Sequence, residues 1–140
     1  MNEVSFLAGE ADAGLRDRLD EEISAFNAAV TGHHDGRLLS IAVRGDRGDL
    51  CAGLYGWTWG WCGYIDLLWV RDDQRESGLG TKLLAAAEAE IRRRGCDRVA
   101  LSTHSFQAPG FYAHCGYREC GRTPAYPRGH EQIHLVKHLR

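Results

Sequence analysis

The run RESGLGTK, residues 75–82, gathers residue types suited to holding a phosphate group. Gly78 and Gly80 allow a main chain to approach an anion closely, and Arg71, Arg75 and Lys82 place positive charge around them. Two familiar phosphate loops are excluded by spacing. A Walker A loop requires Gly-Lys-Ser/Thr, whereas the order here is Gly80-Thr81-Lys82. A dinucleotide fingerprint requires a third glycine where Leu83 stands.

Three further residues carry acid–base potential. Tyr112, in APGFYAHC, offers a phenol with an ordinary pKa of ~10 that stays protonated near neutral pH. Asp66 lies within the apolar run YIDLLWV, where a carboxylate is costly unless it is paired or working. His104, in STHSF, stands where a strand should end and is a second candidate base. His130, His134 and His138 recur every four residues, as metal ligands on a helix would. The alternation of Ile133, Leu135 and Leu139 with polar neighbours suits a strand instead. There His134 and His138 would be ~13 Å apart, too far for one metal, so no metal site is expected.

The elements that must position these groups follow from periodicity. Leu15, Leu19, Ile23, Phe26 and Val30 recur at helical spacing, which predicts an amphipathic helix over residues 12–30 stopped at Gly32. The segments LLSIAVRG, LCAGLYGWTWG and GYIDLLWV predict three strands, the last nearly all apolar, as in a strand covered on both faces. Trp57, Trp59 and Trp61 alternate along one side of the bend between the last two, as packing or substrate-wall residues.

A second helix is predicted over residues 78–94. Leu79, Leu83, Ala87 and Ile91 share its apolar face, and the pairs Glu88–Arg92 and Glu90–Arg94 lie on its wet face. Gly95 provides its stop. DRVALST then predicts a strand, APGFYAHC a short helix with Pro109 in its first turn, and GYRECGR and EQIHLVKHL two final strands. The glycine run therefore leaves a buried strand at Val70 and opens a long helix. Main-chain N–H groups there lack intrahelical partners, and the helix dipole adds partial positive charge.

At 140 residues the chain suits one α/β domain, residues 1–140, with a substantial core. The formal net charge of −2 argues against nucleic-acid binding driven by bulk charge. The N-terminus lacks a basic start and a long apolar run, and no segment approaches the ~18 apolar residues of a membrane span. The five cysteines are odd in number and form no C-x-x-C pair, as expected of reduced thiols packed as small hydrophobes in a cytoplasmic protein.

The segment WVRDDQRESGLGTKLLAAAEAEIRRRG resembles motif A of the GCN5-related N-acetyltransferases, whose signature Q/R-x-x-G-x-G/A reads here from Arg75 to Gly80. APGFYAHCGYREC resembles the family's next motif, with Phe111-Tyr112 followed by Gly116-Tyr117, and SFQAPGFYAHCGY…YPRGH resembles a small bacterial subgroup of unassigned substrate. The resemblance implies a mixed, mainly antiparallel central sheet flanked by helices, with a splay between the strands ending near Val70 and Thr103. It implies acetyl-CoA as cosubstrate and acetyl transfer to a primary amine, in a ternary complex, of a small molecule. The pyrophosphate would sit on the main-chain N–H groups of Arg75, Glu76, Ser77, Gly78, Leu79, Gly80 and Thr81. The pantetheine arm would lie along Leu68, Trp69 and Val70, with a main-chain N–H near Trp69 or Val70 holding the developing oxyanion.

Tyr112 would protonate the departing thiolate, and Asp66 occupies a position where some members carry an acid acting through water. The departures from the family pattern are Glu76, where many loops carry glycine, and a missing cofactor-contacting Asn, for which Ser105 or Gln107 would substitute. Glu21 and Glu22, the Trp57–Trp61 bend and the AYPRGH loop would frame a pocket for a small cationic amine of antibiotic or polyamine-like class, and family resemblance implies a homodimer. Two other readings share these residues: an acyl-CoA-binding module without turnover, and acetylation of a protein or aminoacyl-tRNA amine. The intact Tyr112 argues against the first and the acidic net charge against the tRNA version.

Overall fold

The computed structural model describes residues 3–139, which fall into two compact units divided after His34. The first carries α1, Leu15–Thr31, starting three residues later than the sequence pattern suggests. Glycines in the left-handed conformation bound it at both ends, Gly14 (φ 79°) and Gly32 (φ 76°). The Gly32 N–H donates to the Ala28 carbonyl at 2.8 Å, satisfying one of the orphan acceptors of the last turn.

The second unit is a six-stranded sheet built from β1 (Arg37–Arg44), β2 (Leu50–Trp59), β3 (Cys62–Val70), β4 (Arg98–His104), β5 (Arg118–Pro124) and β6 (Glu131–His138). Two helices interrupt it, α2 (Leu79–Arg93) and α3 (Pro109–His114). The strand order is β1-β2-β3-β4-β6-β5, and every neighbouring pair is antiparallel except β3 with β4. A parallel pair needs a crossover, and α2 provides it. This is the expected α/β sheet in the expected element order.

The core sits beneath α2. Leu83, Leu84, Ala87 and Ile91 of the helix meet Leu39 of β1, Ala52 and Leu54 of β2, Ile65 of β3 and Val99 and Leu101 of β4. Leu84, Ile91 and Val99 are the largest side chains fully removed from water, each worth about 1.5–3 kcal/mol relative to exposure. Gly63 has no alternative there, because an added Cβ would come within 2.6 Å of Ile91. Arg94 ties the far end of α2 to the sheet: it pairs with Glu90 at 2.9 Å, as the helical spacing predicts, and donates to the Leu38 carbonyl and Thr58 hydroxyl at 3.0 and 3.2 Å.

The other predicted helix pair is not made. Glu88 is buried, and its carboxylate is taken by Tyr117 and Lys137. An i,i+4 rule sees only neighbours on one helix, whereas both partners arrive from later in the chain. All five cysteines are free thiols, with Cys51 and Cys96 buried and Cys120 exposed, so the last is not a packed hydrophobe.

Candidate functional site

The parallel ladder between β3 and β4 is short. Cys62, Gly63, Tyr64 and Ile65 pair with Arg98, Val99, Ala100 and Leu101, and there the pairing stops. Both strands continue, β3 held by β2 as far as Val70 and β4 held by β6 as far as His104. The β4-facing edge of residues 66–70 and the β3-facing edge of residues 102–104 thus carry no ladder bonds to each other. This is the splay implied by the resemblance.

The point of divergence is a β-bulge. Tyr55 lies opposite Leu67 and Gly56 opposite Ile65, which leaves Asp66 as the extra, unpaired residue. The bulge resets the alternation of the strand. Gly63 and Ile65 face α2 before it, and Leu68 and Val70 pack on the same core after it. Leu67 and Trp69 consequently point away from that core and are 65% and 45% exposed. The strand is therefore not covered on both faces as its composition suggested. Asp66 is exposed as well, so the desolvation cost inferred for it does not arise.

Beyond Val70 the chain makes a 3₁₀ turn, Asp72–Gln74, and then the glycine loop. Glu76 (φ 65°) and Gly78 (φ 84°) both take left-handed backbone, Gly78 as the N-cap of α2. For Glu76 this conformation is uncommon and costs of order 1 kcal/mol. Alternation of this kind turns successive N–H groups toward one side and makes an anion-binding concavity. The Lys82 N–H reaches back to the Gly78 carbonyl at 3.1 Å, which leaves the N–H groups of Leu79, Gly80 and Thr81 ahead of the first helical bond. Gly80 lies against Phe111 and Val70, so the loop is seated between α3 and the end of β3.

The cationic surround expected from the sequence is largely spent. Arg71 is held by Asp49 at 2.7 Å and Asp73 at 2.6 Å, and Arg75 by Asp72 at 2.9 Å and the Val70 carbonyl at 2.9 Å. Arg75 thus closes the loop onto β3. Attraction for an anion at this helix start rests on main-chain N–H groups and the dipole rather than on the two guanidiniums.

Tyr112 lies on α3, where Ala108 precedes Pro109 at the first position of the helix. Its ring is buried between Phe111, centroid to centroid 5.1 Å, and Tyr117, 5.8 Å, both edge-on. Burial pushes its phenol up to about 12, with the neighbouring Cys115 thiol a lesser cause. It therefore remains an acid throughout the neutral range.

At the open end of β4 the predicted residues are busy with one another. The Gln107 side-chain carbonyl accepts the His104 backbone N–H at 2.8 Å, and the Gln107 N–H returns to the His104 carbonyl at 2.9 Å. The Ser105 hydroxyl accepts the Glu131 N–H at 3.1 Å, and the Ser105 N–H donates to the Glu131 carbonyl at 2.8 Å. Together they pin the β4 terminus to the start of β6.

His104 Nδ1 is 3.0 Å from the Tyr126 carbonyl. A carbonyl only accepts, so Nδ1 carries the proton and Nε2 is the basic atom of the neutral ring. Phe106 stacks on this imidazole at 5.5 Å and Tyr126 meets it edge-on at 5.3 Å, so the AYPRGH loop reaches the open end of β4. The tryptophan bend is more divided than its spacing suggests. Trp57 stacks on Tyr64 at 5.0 Å, whereas Trp61 sits in the turn itself at φ 72°. On the face away from α2, Tyr55, Leu67 and Trp69 join Leu50 and Arg44 around a concavity of about 300 Å³.

A partly buried cluster that sequence reasoning missed joins Glu88 of α2, Tyr117 after α3 and Lys137 of β6. The only available signal was the odd placement of Glu88 beside Ala87 and one turn before Ile91, on the border of the apolar face. Among the described residues no group of three His, Cys, Asp or Glu side chains is placed to hold a metal ion, and no helix is long and apolar enough to cross a membrane.

Comparison with known proteins agrees with this geometry. Residues 6–117 match the model of the acetyltransferase (GNAT) family. A blasticidin-S acetyltransferase of Streptomyces morookaense is 46% identical over 97 residues, 68% of this chain and 71% of that one. An acetyltransferase of Agrobacterium fabrum is 36% identical over 116 residues, 82% of this chain and 84% of its own. The crystal structure of an acetyltransferase from Bacillus cereus superposes with a TM-score of 0.81 at 28% identity, covering 96% of this chain and 98% of that one. A parted pair of parallel strands feeding a glycine-opened helix, in a chain matched over most of its length, places this protein in the GNAT family of acetyl-CoA-dependent N-acetyltransferases.

Proposed function

We propose that the protein transfers the acetyl group of acetyl-CoA to the primary amine of a small, cationic, antibiotic-like molecule by direct attack in a ternary complex. The observation that carries this reading is the opening between β3 and β4, followed in the chain by an anion-ready helix start that lies against Phe111, the neighbour of Tyr112 on α3. Acetyl-CoA supplies the activated thioester. Main-chain N–H groups of residues 75–81 hold its pyrophosphate, and the unpaired edge formed by Leu68, Trp69 and Val70 accepts the pantetheine amides. A free N–H near Trp69 or Val70 steadies the oxyanion. Ser105 and Gln107 border the arm from the β4 side.

An alkylamine with a pKa of ~10 must lose a proton before it attacks. Asp66 takes it, directly or through water, because the bulge sets this carboxylate at the fork of the two strands. His104, with Nε2 as its basic atom, is the alternative at the opposite lip. Tyr112 returns a proton to the departing thiolate. The aromatic residues around the opening, with the name of the relative from Streptomyces morookaense, support an antibiotic amine as acceptor. The protein works in the cytoplasm as a single domain over residues 1–140 and forms a homodimer. Coenzyme A release measured over a panel of cationic, neutral and anionic amines tests the reading. Saturable turnover confined to cationic amines is expected, and equal rates on anionic amines would overturn the acceptor class.

A further inference from the structure

Glu88 is the one carboxylate that the fold takes out of water among the described residues. It accepts the Tyr117 hydroxyl on Oε2 and the Lys137 ammonium on Oε1, each at 2.8 Å. Lys137 spends a second N–H on the Cys115 carbonyl, also at 2.8 Å, and stands 5.6 Å from the centre of the Tyr117 ring. Apart from the Glu88–Lys137 pair itself, the contacts of this cluster end on the segment that carries Tyr112. The Tyr117 N–H donates to the Tyr112 carbonyl at 3.0 Å, and the Tyr117 ring meets the Tyr112 ring edge-on. Gly116, between them at φ 96°, runs so close to Lys137 that an added Cβ would touch its side chain at 3.4 Å.

Stability alone accounts poorly for such a cluster. Desolvating an ion pair offsets most of its Coulombic gain, and well-packed apolar residues of the same volume serve a core as well or better. What an ion pair adds is direction, since its hydrogen bonds admit one arrangement of the groups around it. Here the ion pair fixes a phenol, the phenol fixes a ring, and that ring forms one wall of the Tyr112 pocket. We infer that Glu88 and Lys137 are positioning residues, which hold Tyr112 at the angle its proton transfer requires by clamping Tyr117. The inference rests on the reading of Tyr112 as the acid. It also ties that acid to α2, whose first turn is the proposed pyrophosphate site, so one helix sets the position of both.

The test is a double-variant cycle in the purified enzyme with a turned-over amine. Glu88→Gln preserves an acceptor for Tyr117 but removes the charge facing Lys137. It should lower kcat about tenfold, a part of the 10²–10⁴ that a positioned acid supplies, with the KM for acetyl-CoA within about twofold. In a Tyr112→Phe background the same substitution should change kcat by less than about twofold, because coupled residues are not additive. Tyr117→Phe, which keeps the ring and removes only the tethering hydroxyl, gives the same pattern and serves if Glu88→Gln does not fold. Equal losses in both backgrounds, or a loss in KM alone, would make the cluster structural and overturn the inference. An unchanged kcat for Tyr112→Phe by itself would instead remove the acid, and this positioning role with it.

Discussion

Over residues 62–65 and 98–101, β3 and β4 form a regular parallel ladder. Ile65, Val99 and Leu101 are at most 3% exposed there, and Gly63 is pressed under Ile91. A few residues further on, the same two strands share no ladder bonds, Leu67 and Trp69 face outward, and a carboxylate stands at the fork. Composition hardly changes between the halves, since YIDLLWV is apolar almost throughout. The difference is made by one extra residue at the bulge and by what each half can still bind. In the closed half both strands are paired along both edges. In the open half the edges facing the gap carry no ladder bonds to each other, and an unpaired strand edge is a template for an extended ligand. Chemistry is placed where the hydrogen-bonding capacity of the sheet is unspent.

The sharpest way to break this contrast is at the fork. A Cβ built on Gly56 would lie 2.0 Å from the Tyr64 carbonyl, a backbone atom that cannot step aside. Gly56→Ala should therefore cost more than about 4 kcal/mol, by forcing β2 and β3 apart in the half that must stay closed. Urea unfolding measures it, and a loss below about 1 kcal/mol would mean that the bulge relaxes and that the two halves are not separately built.

Next in size is the open half. Tyr112→Phe should lower kcat about a hundredfold while leaving the KM for acetyl-CoA within about twofold, as expected of a group used in proton transfer and not in binding. The phenol, pushed up to about 12 by burial, stays protonated through the neutral and mildly alkaline range, so Tyr112 should impose no alkaline limb on kcat below about pH 11. The same shift has a sign in stability. A folded pKa above the unfolded value of ~10 means that the unfolded chain loses this proton first. The contribution of Tyr112 is fully present below pH 10 and is lost as pH rises toward 12. Thermal unfolding followed from pH 8 to 11 should show the wild type declining more steeply than Tyr112→Phe.

The two lips of the opening can then be separated. Asp66→Asn should lower kcat about tenfold, and His104→Gln by less, if the proton leaves through the fork. The reverse order would move the base to His104 Nε2 and leave Asp66 as an exposed bulge residue.

Much of this was legible in the sequence, and what was not shares one cause. Element order and type and the glycine-opened helix follow from short-range periodicity and spacing, which local chain physics dictates, whereas the role of Tyr112 comes from the resemblance to the family. The bulge is invisible to that logic. Alternation in YIDLLWV puts Ile65 and Leu67 on one face, whereas an insertion in the pairing puts Ile65 and Leu68 there. Arg71 and Arg75 read as phosphate-holding charges because their carboxylate partners, Asp49, Asp72 and Asp73, compete for them only once the loop is folded. Glu88 reads as a helix-surface ion-pair partner because Lys137 is 49 residues away. Each correction is a long-range pairing, or a turn, that reassigns a group whose type was read correctly.

The smallest expected effect lies at the helix start, where the open half receives its anion. Gly78 caps α2 at φ 84°, with no atom within 4 Å of where a Cβ would stand, so Gly78→Ala meets backbone strain and no clash. A left-handed alanine costs about 1 kcal/mol. If that strain were absorbed by general loosening, unfolding would register all of it and acetyl-CoA binding none. If the loop instead relieves it by turning its N–H groups away from the anion, the KM for acetyl-CoA should rise about fivefold, the same free energy expressed as binding. The kcat should stay within about twofold, because Glu88, through which α2 holds Tyr112, lies more than two helical turns from the cap, and Asp66 belongs to β3. A selective rise in KM would separate anion binding at the helix start from proton transfer at the fork. A parallel fall in kcat would show that the cap of α2 also sets the position of Tyr112, which reaches this helix through Tyr117 and Glu88.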